Sequence, residues 1–259
     1  MAGEKASGSD FVQSLERGLA VIQAFSATRP RLTLSDVARQ TGLTRAAARR
    51  FLLTLQQLGF VDSNEREFYL TPRILQLGYA YLSSTPFWDL AQAHIEELVD
   101  QLHESSSISV LDRDEIVYVA RVPTKRIMTI SLAVGSRLPA FATSMGRVML
   151  ADLPDAQIDA FLARAELTPL TSRTVTDVVA LRAVLLDVRE QGWALVDQEL
   201  EDGVRSIAAA LRGADGRVLG ALNVSAHATR TNLDALRKQF LPALLETTER
   251  INADLSRRS

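Results

Sequence analysis

Apolar residues recur at helical spacing over the first third of the chain, and at period two in several later stretches. Phe11 to Phe25 carries Val12, Leu15, Leu19 and Ile22 at i, i+3/i+4 and i+7, which predicts an amphipathic helix. Leu32 to Phe60 predicts two short helices around Gly42. Ser35 or Thr33 can cap the first, with Val37 and Ala38 facing inward, and Thr44 can cap the second. Gly42 suits the turn because it tolerates positive φ. On the second helix Leu43, Ala47, Phe51 and Leu55 follow at i+4 and predict one apolar stripe. Phe60 to Asp62 and Phe68 to Leu70 predict two strands, joined by the polar turn Ser63, Asn64, Glu65 and Arg66. Thr71 and Pro72 then start a helix carrying Ile74, Leu75, Leu77, Tyr79 and Tyr81, which ends at Ser83 to Pro86.

Beyond Pro86 long helices alternate with strands. Trp88 to about Glu104 predicts a helix, and Ile108, Val110 and Ile116 to Val122 a hairpin about Asp112 to Glu115. Ile127 to Val134 predicts a further strand. Helices are expected at Met145–Leu153, Asp155–Ala163 and Asp177–Gln191, the last closed by Gly192. Trp193 to Gln198 predicts a strand, Ser206–Leu211 and Val218–Ser225 a hairpin about Asp215 and Gly216, and Leu233 to Ser256 a closing helix. Helices beside an antiparallel sheet make an α+β domain. The expected division is a disordered tail at 1–10, a winged helix-turn-helix at 11–72, a linker helix at 73–85 and a larger domain at 86–259.

Composition narrows the class. At 259 residues the chain suits two domains with their own cores. No apolar run approaches the ~20 residues that cross a bilayer. The first ten residues lack the apolar core of a secretory signal, so a cytoplasmic protein without a membrane partner is expected. The lack of cysteine excludes disulfides and thiolate zinc sites. A net charge of −2 hides an uneven distribution: Arg29, Arg31, Arg39, Arg45, Arg49 and Arg50 stand against the single acid Asp36. A local basic patch on a near-neutral protein fits binding at a defined site.

The second helix of the helix-turn-helix places Arg45 and Arg49 together, with Ala46 and Arg50 beside them. Small residues next to arginines let a helix lie deep in a major groove while guanidiniums reach phosphates or guanine edges. An ordinary amphipathic helix with a solvated basic face would look similar. The preceding capped helix and the Gly turn favour double-stranded DNA, with Thr44, Arg45, Ala46, Arg49 and Arg50 as contacts. Arg66 at the tip of the hairpin can touch DNA, although Glu65 and Glu67 repel phosphate, and the hairpin can equally just complete the core.

Enzyme readings fare poorly. His94 and His103 are out of phase on one helix, and His227 reads as a loop histidine. Neither a nucleophile elbow nor a phosphate-binding loop is present. Asp197, Glu199, Glu201 and Asp202 can suggest a divalent ion, but such a run is more often a solvated loop. No catalytic residue, metal or cofactor is expected.

The chain resembles the IclR family of bacterial transcriptional regulators over nearly its whole length. Ser14-Leu15-Glu16-Arg17-Gly18-Leu19 is similar to that family's opening helix. Leu138-Pro139-Ala140-Phe141-Ala142-Thr143-Ser144-Met145-Gly146-Arg147 and Asp202-Gly203-Val204-Arg205-Ser206-Ile207-Ala208-Ala209 are similar to its ligand-domain motifs. Arg45 to Arg50 and Thr143 to Arg147 resemble the branch that controls protocatechuate, 4-hydroxybenzoate and β-ketoadipate catabolism. The resemblance implies a winged helix-turn-helix, a linker helix and a GAF-like effector-binding domain, in homodimers often paired into tetramers. It also implies a small organic acid effector, held by Ile127, Ile130, Ser144, Met145, Asp197, Ser206, Asn223 and Ser225. Some relatives carry Gly-Ala at Ser144 and Met145, which implies a narrower pocket here.

The residues themselves lend this pocket partial support. Thr143 and Ser144 open a helix whose free N–H groups can receive a carboxylate, or they simply cap it. Ser206, Asn223 and Ser225 can present polar groups to one sheet face. Arg121 is either a counter-ion for an acid or an ordinary strand arginine. A second reading, in which the larger domain only oligomerises, stays open.

Overall fold

Side-chain caps set the helix boundaries in the first part of the chain. The computed structural model describes residues 10–84, 87–124 and 132–257, and the chain divides into two units, Met1–Ser84 and Thr85–Ser259. Residues 1–9 of the tail expected at 1–10, Thr85 and Pro86, and most of the strand expected from Ile127 lie outside the described residues.

The first unit runs α1 (Gln13–Gln23), β1 (Leu32–Thr33), α2 (Leu34–Thr41), α3 (Arg45–Gln57), β2 (Val61–Ser63), β3 (Glu67–Leu70) and α4 (Leu75–Ser84). Thr33, not Ser35, caps α2. Its hydroxyl accepts from the Asp36 N–H at 3.2 Å, and the Asp36 carboxylate accepts from the Thr33 N–H at 3.2 Å. Those bonds from Thr33, with help from Arg39, hold the Asp36 carboxyl below its ordinary range. Gly42 closes α2 in the left-handed region at φ 67°, and Thr44 caps α3 by accepting from the Ala47 N–H.

Two stripes differ from expectation. On α3 the buried residues are Ala48, Leu52 and Leu55, so the inward stripe lies one residue further on than Leu43–Ala47–Phe51. Those three flank it, half-buried. On α1 only Val21 is buried, while Phe11, Val12, Leu15 and Leu19 are exposed. The core of this unit is Val21, Phe25, Leu32, Val37, Ala38, Ala48, Leu52, Leu55 and Val61. The hairpin of β2 and β3 gains a third strand, β1, in the order β1-β3-β2. No residue of α4 is buried.

The second unit runs α5 (Phe87–Leu102), β4 (Ser105–Asp112), β5 (Glu115–Val122), β6 (Arg137–Pro139), α6 (Ser144–Ala151), α7 (Asp155–Arg164), α8 (Val178–Gln191), β7 (Trp193–Asp197), β8 (Val204–Arg212), β9 (Val218–His227), α9 (Leu233–Ala235) and α10 (Leu241–Arg257), with a π-helical turn Leu236–Phe240 before α10. Six strands form one antiparallel sheet in the order β6-β5-β4-β9-β8-β7. Helices α5 and α10 contact each other and the sheet, and α6 contacts the sheet and α8. A core of Ile116, Met145, Leu150, Phe161, Leu181, Leu185, Ala208 and Ala221 fills the α6 side.

Gly146 sets how closely α6 can approach. A Cβ there would stand 2.1 Å from the Ala140 carbonyl oxygen, so only glycine lets the helix start lie on the turn before it. On β5 the register against β4 shifts: Ile108 pairs with Ala120 but Ser109 with Tyr118, leaving Val119 as an extra, bulged residue.

Candidate functional site

In the first unit, Arg45, Ala46, Arg49 and Arg50 are all exposed on α3, and none of these arginines is ion-paired among the described residues. The Thr44 hydroxyl is occupied by its cap. Arg66 is exposed at the hairpin tip, beside Glu65 at φ 68°. Arg31 lies over the Tyr69 ring at 4.6 Å. Arg17, which sequence reasoning passed over, lines a surface groove between α1 and α3 with Ser14, Arg50 and Phe51. Its position depends on how α1 docks, which spacing does not reveal.

In the second unit one cavity opens at the start of α6. Its free space, mouth included, is about 550 Å³. Thr143, Ser144, Met145, Ser206, Asn223 and Ser225 all line it, as does Arg121. Thr143 also caps α6, accepting from the Gly146 N–H at 3.1 Å. Ser144 and Ser206 share a short hydroxyl–hydroxyl bond. The Asn223 amide nitrogen donates to Ser206 at 3.3 Å and to Ser225 at 2.9 Å. Its Oδ1 is buried and has no partner among the described residues. The Ser109 hydroxyl donates to the Met145 sulfur at 3.2 Å.

The walls between these polar groups are apolar: Tyr118, Leu132, Ala142, Val196, Leu200 and Val204. Arg121 donates to the Ser107 hydroxyl at 3.2 Å, and among the described residues no carboxylate pairs with it. Burial lowers its pKa, yet a guanidinium stays charged. Burial also pushes Tyr118 up to about 12, against the pull of nearby Arg121. Among the described residues the cavity therefore offers a cation without an ion-pair partner, several hydroxyls and an apolar wall, a combination suited to a small organic anion.

One other expected lining residue falls elsewhere. Asp197 does not line the cavity. It pairs across the strands with Arg205, and its carboxylate is bound by Arg205 and by Arg173, the latter at 2.9 Å. Its neighbour Val196, paired with Ser206, occupies the cavity face instead, as period two requires. Ile127 and Ile130 lie outside the described residues. Of the acids that follow β7, Glu199 is ion-paired. Glu199 takes a buried, two-pronged bond from Arg147 at 2.7 and 2.5 Å. Among the described residues no group of three or more side chains could hold a metal ion.

Residues 14–65 match the IclR helix-turn-helix domain, and residues 79–253 match the bacterial transcriptional regulator IclR C-terminal domain. The chain belongs to the IclR family. Over 237 residues this IclR-family protein is 48% identical to the Pca regulon regulatory protein of Pseudomonas putida, covering 91% of this chain and 81% of that one. It is 36% identical to the p-hydroxybenzoate hydroxylase transcriptional activator of Acinetobacter baylyi, covering 96% and 94%. A solved protein structure from Rhodococcus sp. RHA1 superposes with a TM-score of 0.86 at 53% identity, covering 96% of this chain and all of that one. The IclR-family protein is thus a transcriptional regulator with a DNA-binding and an effector-binding domain.

Proposed function

We propose that this IclR-family protein controls genes of aromatic-compound degradation, sensing a small aromatic or dicarboxylic acid in the α6 cavity. Its names for comparison, the Pca regulon protein and the p-hydroxybenzoate hydroxylase activator, support the pathway class. The observation that carries the ligand class is Arg121, a cation with no carboxylate partner among the described residues, in a largely apolar cavity. Arg45, Arg49 and Arg50 supply phosphate and base contacts to operator DNA, Thr44 and Ala46 lie against the backbone and groove floor, and Arg66 adds a weak contact. The division of labour is DNA reading at 11–72, a linker helix at 73–85 and effector binding at 86–259. Exposed apolar side chains on α1 and α4, including Leu15, Leu75 and Tyr79, support a homodimer that can pair into a tetramer. The protein works in the cytoplasm, without a catalytic step.

The effector acts only by binding one conformation more tightly than another, so it shifts operator affinity by that difference. Calorimetric titration of the full chain with 4-hydroxybenzoate, protocatechuate and β-ketoadipate tests this. Saturable binding of one compound, lost in Ser144→Trp and accompanied by a change in affinity for DNA upstream of the protein's own gene, is expected. No binding of any would leave a regulator whose C-terminal domain only oligomerises.

A further inference from the structure

We propose that Asn223 reads a hydrogen-bond donor on the effector, so that the cavity selects a hydroxylated aromatic acid over both the unsubstituted acid and a dicarboxylic acid. The inference rests on the acid-sensing function proposed above and decides between its two ligand classes.

Ser107 on β4 stands opposite Arg121 on β5 and opposite Asn223 on β9. Arg121, Ser107 and Asn223 therefore form one row across three adjacent strands. Residues directly opposite share a sheet face, and both ends of this row line the cavity. The Arg121 guanidinium is fixed on the Ser107 hydroxyl, and Asn223 comes from the next strand, roughly 4.8 Å away.

Asn223 is 3% exposed, and its amide nitrogen is engaged by Ser206 and Ser225. Among the described residues its carbonyl oxygen is left buried and bare. A buried acceptor without a donor is costly, so the site favours a ligand that brings one. With the amide in this orientation the Ser206 hydroxyl accepts from Asn223 and shares its other bond with Ser144. An aromatic ring with a carboxylate at one edge and a hydroxyl at another meets both ends of the row. Its flat face lies against Tyr118, Leu132, Val196 and Leu200. A second carboxylate would set acceptor against acceptor at Asn223. An unsubstituted ring would leave the oxygen bare.

The test is titration of the full chain with 4-hydroxybenzoate, protocatechuate, benzoate, adipate and β-ketoadipate. The best hydroxylated acid is expected to bind about tenfold or more tighter than benzoate and either dicarboxylate, since a site built for a hydroxyl rejects the analogue without it. In Asn223→Leu the preference over benzoate is expected to fall to about one. Equal affinity for hydroxylated and plain benzoate overturns the inference while leaving aromatic-acid sensing intact. Tighter binding of a dicarboxylate overturns it too. If no compound binds, acid sensing and this inference fall together. The wild-type ligand series decides without any variant, so a poorly folding Asn223→Leu does not block the test.

Discussion

Tyr118 and Arg121 stand three residues apart on β5 yet line the same cavity. In a regular strand residues three apart point to opposite faces. The extra residue Val119 restores the phase, so that Tyr118 pairs with Ser109 and Arg121 with Ser107, two serines on one face of β4. The bulge thus aims the cation of the proposed effector site.

Arg121→Met should lower affinity for the acid effector by about ten- to hundredfold, because a charge-assisted bond is lost while the aliphatic stem is kept. The amide analogue of the same compound should bind both proteins alike. Paired calorimetric titrations check this, and an equal loss for acid and amide would show that Arg121 acts through packing.

Replacing Gly146 by Ala forces a Cβ to within 2.1 Å of the Ala140 carbonyl oxygen. Overpacking against backbone should destabilise the protein by about 3 kcal/mol or more. A thermal melt of Gly146→Ala should show a clear fall in Tm, whereas Gly78→Ala, where nothing lies within 4 Å, should not.

Arg147 is 2% exposed, and its guanidinium binds the Glu199 carboxylate and the Phe141 carbonyl. Either Arg147→Met or Glu199→Leu alone leaves a buried charge without its partner and should cost about 3–5 kcal/mol. The double variant should be more stable than either single one. Urea unfolding of all four proteins measures the cycle, and strict additivity would contradict the pairing.

On α3, Arg49→Ala should weaken operator binding and reduce the salt dependence of log K by about one unit if the residue meets a phosphate. Effector affinity should be unchanged. Arg66→Ala, beside Glu65 and Glu67, should have a much smaller effect. Fluorescence anisotropy over a series of salt concentrations separates the two.

Burial holds Tyr118 un-ionised up to about 12, above its ordinary value of 10.0. The unfolded chain gives up that proton first. The contribution to stability is therefore complete below pH 10 and is lost as pH rises from 10 towards 12. Tyr118→Phe should lose stability less steeply over that interval, which alkaline unfolding curves would reveal.

The helix-turn-helix was readable because its signals are local: Thr33, Gly42 and Thr44 act within one turn of where they stand. Stripe direction was less readable. One residue of drift moved the inward face of α3 to Ala48 and Leu52, and α1 turned Leu15 and Leu19 outward, since periodicity gives a stripe but not its target. Of the cavity residues, Ser144, Met145, Ser206, Asn223 and Ser225 were named through the family resemblance and Thr143 through its place at a helix start. Asp197 was misplaced by one strand position, which in a sheet means the wrong face. The Val119 bulge and the three-residue β6 leave no periodic trace, and the Arg147–Glu199 pair joins residues 52 apart in sequence.

The central sheet works as a page printed on both sides. Along β9, Asn223 and Ser225 face the cavity, while Leu222, Val224 and Ala226 are buried on the reverse, where α5 and α10 lie. Because neighbours on a regular strand take opposite sides, ligand preference can be rewritten on one side without erasing the packing on the other. Such a domain can change the compound it answers to in single steps, each leaving a folded protein from which the next can start.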